Sequence, residues 1–326
     1  NPDSSWRLTE IFPINVLGFQ THRDHFAVAH TEKEMIDRLL DLRDERVEDS
    51  ELRSKYNLKD TRDWRLASAR KSIRGDKNWK GSLVECCYRP FDNRYSYLSY
   101  VAMDYPRREL LQHVYGKDNI CILASRQQST PGFRHSWITN LPAESCVVST
   151  KTKEQNYVFP LYLYHSKDQQ ELVERRPYKE ANIHHELIAQ LEKTWGLEFL
   201  NNRDGKASFT PEDIVYFVYA VMNSSSYRER YCVLLKTDFP RIPFPKDRDV
   251  FFAVMGLGKT LSDLHMLNVT EEADVEFPVK GSNRIERISY IEAEEKLYIN
   301  KEQYLTKIAP EIWEFKIGGY DFVSKW

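Results

Sequence analysis

Leu83-Val84-Glu85-Cys86-Cys87-Tyr88 and Tyr95-Ser96-Tyr97-Leu98-Ser99-Tyr100 lie on either side of Pro90. Both runs are rich in aromatic and β-branched side chains, which suit a pleated, half-buried surface. Asn119 to Ala124, Ser136 to Thr139, Cys146 to Ser149 and Tyr157 to Tyr164 have the same texture, punctuated by Gly116, Pro131-Gly132 and Pro142. One short helix, Pro106 to Tyr115, interrupts them. Residues 81–165 therefore read as a β-rich centre.

The flanks read as helical. Upstream, Thr31-Glu32-Lys33-Glu34 has the form of a capping box, and Met35, Leu39, Leu40 and Leu42 follow as an apolar stripe. Downstream, Ile183, Leu187, Leu191 and Trp195 recur at helical spacing until Gly196 stops the run. Thr210-Pro211-Glu212-Asp213 is a helix start, with a cap, a proline at the first position and acids on the positive end of the dipole. Further helices are expected over 227–236 and 249–267, separated by the extended Pro240, Pro243 and Pro245. Strands are expected at Val275 to Val279, Ile285 to Ile291 and Lys296 to Ile299. The fold class is α+β, with a helical connector over 1–80, a β-rich part over 81–165 and a mainly helical part over 166–326.

A chain of 326 residues, 41% apolar and 29% charged, is globular rather than disordered or fibrous. Its net charge of −2 means that any nucleic-acid contact has to come from local patches. Five cysteines, with no Cys-x-x-Cys pair, argue against a disulfide framework and a zinc ribbon and fit a reducing, cytoplasmic setting. No apolar run reaches the ~18–20 residues that span a bilayer, so no membrane partner is expected. The opening at Asn1, without initiator Met or signal peptide, reads as a piece cut from something longer.

Residues 62–108 hold eleven basic side chains against five acidic ones, with Trp64, Trp79, Tyr88, Tyr95 and Tyr100 among the interleaved aromatics. A solvated charged face explains most basic runs. Aromatics in such number also fit a phosphate-binding surface, for which Arg70, Lys71, Arg74, Lys77, Lys80, Arg107 and Arg108 are the candidates.

Three motifs mimic catalytic ones. Met255-Gly256-Leu257-Gly258-Lys259-Thr260 resembles a phosphate loop, but Ala253 stands where a glycine is needed and the flanks read as helix. Gly256 and Gly258 are then expected to be close-packing positions. His184-His185-Glu186 are adjacent, so their side chains should diverge, whereas a zinc site wants histidines at i and i+4. Asp274, Glu294 and Lys296 have the residue types of a magnesium nuclease, in a pattern that a charged hairpin also supplies. No nucleophile elbow, glycine-rich dinucleotide loop or Asn-Pro-Pro-Tyr is present. Nothing reads as a catalytic or metal centre.

Ser125 to His135 form a polar loop between two strands. Arg pairs bidentately with guanine O6 and N7, and Gln with adenine N6 and N7. Arg126, Gln127, Gln128, Arg134 and His135 are therefore the candidates for reading bases. A surface loop bonding to nearby backbone is the alternative.

Tyr88-Arg89-Pro90-Phe91-Asp92-Asn93-Arg94-Tyr95, Pro106-Arg107-Arg108-Glu109-Leu110 and Tyr157-Val158-Phe159-Pro160-Leu161-Tyr162-Leu163-Tyr164 carry a resemblance. So do Tyr227-Arg228-Glu229-Arg230-Tyr231, Asp238-Phe239-Pro240-Arg241-Ile242-Pro243-Phe244-Pro245 and Ile317-Gly318-Gly319-Tyr320, in the same order over nearly the whole chain. Together they resemble the C-terminal specificity region of type ISP restriction–modification enzymes. Several blocks are also similar to target-recognition regions of single-chain adenine methyltransferase–nucleases.

The resemblance implies a larger polypeptide with nuclease, helicase-like ATPase, N6-adenine methyltransferase and DNA-recognition parts. S-adenosylmethionine, ATP and magnesium belong to that parent, and none is expected in this chain. The partners implied are double-stranded DNA and the parent's methyltransferase domain. Residues in blocks shared by members that read different sequences are more naturally structural. Asp92 pairing an arginine would fix the turn beside Pro90, while Arg107 and Arg108 could do the same or touch phosphate. The rival reading is a protein-interaction scaffold, which would scatter the basic side chains and pair them with acids.

Overall fold

The structure, a computed structural model, describes residues 5–129, 132–149, 154–165, 178–203, 207–269, 274–318 and 320–325. Its centre is a four-stranded antiparallel sheet in the order Val16–Leu17, Asn156–Pro160, Cys121–Ser125, Ser136–Thr139. Every residue of Cys121–Ser125 and of Ser136–Thr139 is buried, so both faces of the sheet are covered. The period of two divides these strands between two cores. Ile122, Ala124, Ile138 and Phe159 face one with the C-terminal helices, while Cys121, Leu123, Trp137 and Val158 face the other.

Beside it, Leu83–Arg89 and Asp92–Tyr97 form a hairpin to which Val28–Ala29 adds a third strand. Phe91 sits in its turn with φ +58, a conformation a bulky residue adopts only under constraint. The constraints are visible. Asp92 accepts from Arg94 Nε at 2.8 Å, as the sequence led us to expect, and the Phe91 ring meets Trp137 edge-on at 4.9 Å.

Upstream, Thr31 caps the helix Glu32–Arg43, which packs on Leu66–Gly75 around Met35, Leu39, Leu42, Leu66 and Ile73. Residues 1–80 are not purely a helical connector, however. Ser5–Arg7 pairs with Arg241–Pro243, and Val16–Leu17 and Val28–Ala29 complete the two sheets, so residues 5–29 are woven into the parts that follow.

In the C-terminal part, helix His185–Trp195 ends at Gly196 (φ +65), and Thr210 with Asp213 forms the capping box of Pro211–Asn223. That helix packs along Arg248–His265. A Cβ on Gly258 would stand 2.0 Å from the Tyr216 carbonyl oxygen, so this glycine permits the close approach, whereas Gly256 meets nothing and plays no such part. The helix expected over 227–236 is broken into Ser225–Arg230 and a single 3-10 turn, Leu234–Lys236. Cys146 to Ser149 form no strand, and of Val275 to Val279 only Glu276 makes a bridge, to Thr306.

Candidate nucleic-acid interface

The polar loop leaves one buried strand at Ser125 and returns to the next at Ser136, closed at its neck by the Ser125 amide donating to the His135 carbonyl at 3.2 Å. Thr130 and Pro131 lie outside the described residues. Its first half rests on residues 236–238. The Gln128 amide donates to the Lys236 carbonyl at 3.2 Å, Gln127 Nε2 to the Thr237 carbonyl at 3.5 Å, and Arg126 Nε lies 3.5 Å from Asp238. Asp238 also lies 3.4 Å from Arg7. Nothing in the sequence reading singled out 236–238 or Arg7 as site residues. They are far apart in the chain, and the pairing of Ser5–Arg7 with Arg241–Pro243 brings Arg7 beside Asp238.

The five base-reading candidates separate. Arg126, Gln127 and Arg134 are exposed. Gln128 is buried, its Nε2 donating to the Gly132 carbonyl at 3.0 Å. His135 is 0% exposed, with Nε2 2.9 Å from a Glu154 oxygen. Burial lowers the affinity of its ring for a proton, against the pull of Glu154. Gln128 and His135 therefore shape the loop from inside and do not offer base-reading groups at its surface. The reason is geometric: His135 abuts strand Ser136–Thr139, whose residues are all buried.

The basic segment separates in the same way. Arg70 is 5% exposed and donates to Asp49 and to the carbonyls of Leu42, Asp44 and Val47, so it staples helices together and is unavailable to phosphate. Arg74 is half-buried on the carbonyls of Arg43 and Asp44, both at 3.1 Å. Arg62, Arg89 and Arg94 pair with Asp63, Glu144 and Asp92, each at 2.8 Å. Arg107 has φ +52, lies over Tyr105 and reaches towards Glu109 at 4.0 Å, a placement that suits the framework.

Lys71, Lys77, Lys80 and Arg108 are exposed, and none has a carboxylate in ion-pair contact among the described residues. Lys80 lies over Trp79 and Arg108 over the 60%-exposed Tyr100, so exposed cations and aromatic faces do occur together here.

The catalytic look-alikes dissolve. Met255 to Thr260 is plain helix with Lys259 paired to Asp263. The His184 and His185 rings stack at 4.8 Å instead of diverging, and His184 caps its helix by accepting from the Glu186 amide. Asp274 pairs with Lys307, and Glu294 with Lys296, in separate exposed contacts. Among the described residues no three potential metal ligands converge, and no helix is long and apolar enough to cross a membrane. All five cysteines are free, and burial pushes the Cys87 thiol up to about 12.

A family model described as the Type ISP C-terminal specificity domain matches residues 10–326. No curated protein matches the chain. One similar solved structure is a nuclease-deletion mutant of the Type ISP restriction-modification enzyme LlaGI in complex with a DNA substrate mimic (TM-score 0.64, 20% identity, 96% of this chain and 24% of that one). Another is a DrdV–DNA complex (TM-score 0.68, 21% identity, 94% and 30%). A third is the ATP-dependent Type ISP restriction-modification enzyme LlaBIII bound to DNA (TM-score 0.68, 18% identity, 95% and 20%). The chain thus spans less than a third of each of these proteins, and the likeness is one of fold. With a model that matches almost its entire length, the chain belongs to the Type ISP C-terminal specificity domains.

Proposed function

We propose that the chain is the sequence-specific duplex DNA recognition module of a Type ISP restriction–modification enzyme. The family and the DNA-bound state of the three similar structures support this reading. The observation that carries it is the loop at residues 125–135. It is closed at its neck, rests on 236–238, and exposes Arg126 and Gln127, whose side chains match guanine and adenine edges in the major groove. Lys71, Lys77, Lys80 and Arg108 would neutralise phosphates and fix the register.

In this reading the chain binds non-covalently and has no chemistry of its own. Its buried thiols have raised proton affinities, and its look-alike carboxylates are held in separate ion pairs. S-adenosylmethionine, ATP and magnesium would serve other parts of the parent polypeptide, whose methyltransferase domain is the chain's protein partner. The location is the cytoplasm, where its free thiols persist.

Selection from a random duplex library, followed by anisotropy titrations at about 50 and about 200 mM salt, tests the proposal. One enriched consensus, bound more tightly than scrambled duplex and more weakly at the higher salt, is expected. Absence of binding to any duplex at the lower salt would sink it.

A further inference from the structure

The strand Cys121–Ser125 has a neighbour on each side in its sheet. Its last residue, Ser125, stands opposite Asn156 of one neighbour, and its amide donates at 3.2 Å to the carbonyl of His135, which precedes the other. Asn156 is fixed in turn. Its amide donates to the Ser145 carbonyl at 2.7 Å and its side chain to the Glu144 carbonyl at 3.1 Å. Glu154, two residues before it, therefore stands next to a rigid edge at the base of the 125–135 loop.

The Glu154 carboxylate spans that base. One oxygen accepts from the Ser129 amide, on the outgoing branch of the loop. The other lies 2.9 Å from His135 Nε2, at the foot of the returning branch. These two facing atoms are buried, and neither makes another hydrogen bond among the described residues. Strands on either side of a central one are about 10 Å apart, and Glu154 ties their extensions together across the end of Cys121–Ser125.

The exposed side chains stand between these fixed points. Arg126 and Gln127 lie between the neck at Ser125 and the tie at Ser129. Their own side-chain contacts, to Asp238 and the Thr237 carbonyl, are long at 3.5 Å, so the backbone does most to place them. Within the loop, Phe133 is 1% exposed and Gln128 Nε2 donates to the Gly132 carbonyl at 3.0 Å. A bidentate contact with a base edge requires donors held to within about 0.5 Å.

We propose that Glu154 is a positioning residue for base recognition: by tying Ser129 to His135 it sets where Arg126 and Gln127 stand, without meeting DNA itself. This rests on the DNA-reading function above and adds what holds the reading side chains in place. The Ser129 bond is charge-assisted, which makes one carboxylate enough to fix that branch.

The full 326-residue chain would be titrated by anisotropy with its selected duplex and a scrambled one. Glu154→Ala should cut discrimination roughly tenfold, while affinity for the scrambled duplex and its salt slope stay unchanged. Glu154→Gln keeps the reach and an acceptor for Ser129, so it should retain most of the discrimination. Glu154→Asp keeps the charge but is one methylene shorter, so it should fall with Glu154→Ala. In a chain already carrying Arg126→Ala and Gln127→Ala, Glu154→Ala should cost nothing further, because it acts through those two side chains. Hydrogen exchange at the Ser129 amide should quicken in Glu154→Ala while that of Ile122, in the buried strand, stays slow.

Faster exchange at Ser129 with discrimination intact would make Glu154 a structural tie alone and overturn the proposal. So would wild-type discrimination in Glu154→Asp with loss in Glu154→Gln, since the effect would then follow charge rather than reach. A further loss in the Arg126→Ala, Gln127→Ala background would also overturn it. Failure of the unaltered chain to bind any duplex would instead remove the underlying DNA-reading function, and this proposal with it.

Discussion

The loop at 125–135 and the segment at 62–108 are both rich in arginine, yet the fold treats them in opposite ways. In the segment, Arg62, Arg70, Arg89 and Arg94 each bond an acid of the same chain, and Arg70 does so with its own side chain buried. In the loop, Arg126 is held loosely at 3.5 Å and is 61% exposed, while Arg134 has no side-chain partner among the described residues. A count of charges treats both regions alike. What distinguishes a binding cation from a structural one is whether its donors already have acceptors, and that depends on which elements the chain folds against it.

The comparison would break most visibly at Arg70. Arg70→Ala removes donors from Asp49 and from three buried or half-buried carbonyls, and should cost about 3 kcal/mol of stability. Urea unfolding measures this. A cost within experimental error would mean that Arg70 is as free as composition suggested.

A second test concerns the base of the loop. The strand that ends it carries Trp137, stacked at 4.6 Å on His265, whose Nδ1 meets the Tyr219 hydroxyl at 2.6 Å. Burial, with Arg228 assisting, brings this histidine from its ordinary 6.5 down to about 4. The unfolded chain therefore binds the proton more readily, so the contribution is complete above pH 6.5 and is lost as the pH falls towards 4. The loss should be up to about 3 kcal/mol. The stability gap between wild type and His265→Gln should shrink between about pH 7 and about pH 4.5 in denaturant titrations. A constant gap would show that the ring is not held neutral.

The smallest effects sharpen the distinction between reading and gripping. Arg126→Ala should reduce discrimination between selected and scrambled duplex roughly ten- to hundredfold with unchanged stability. Lys71→Ala should weaken both duplexes equally and lower the salt slope by about one. Both would be followed by anisotropy, and intact discrimination in Arg126→Ala would remove this loop as the reader.

Much of the architecture was legible because its signals are local. Thr31, the Thr210–Asp213 capping box and Gly196 mark helix ends through their own backbone geometry, and Asp92 with Arg94 closes a turn two residues wide. Helix propensity around Met255 to Thr260 likewise outweighed the phosphate-loop likeness. Interactions between distant segments were less legible. The stretch 227–236 breaks after Arg230, where a uniform helix was expected. Ser5–Arg7, Val16–Leu17 and Val28–Ala29 are two or three residues long, too short to show a period, and take their conformation from the strands they join.

The sequence by itself determined the α+β class, the β-rich centre, the absence of a recognisable catalytic motif and the polar loop between two buried strands, since each is written in neighbouring residues. The tertiary structure alone decided that Gln128 and His135 turn inward, that Arg70 is a staple and that residues 236–238 support the loop. The reason is that burial and charge compensation are properties of a side chain's surroundings in space, and those surroundings come from segments tens to hundreds of residues away.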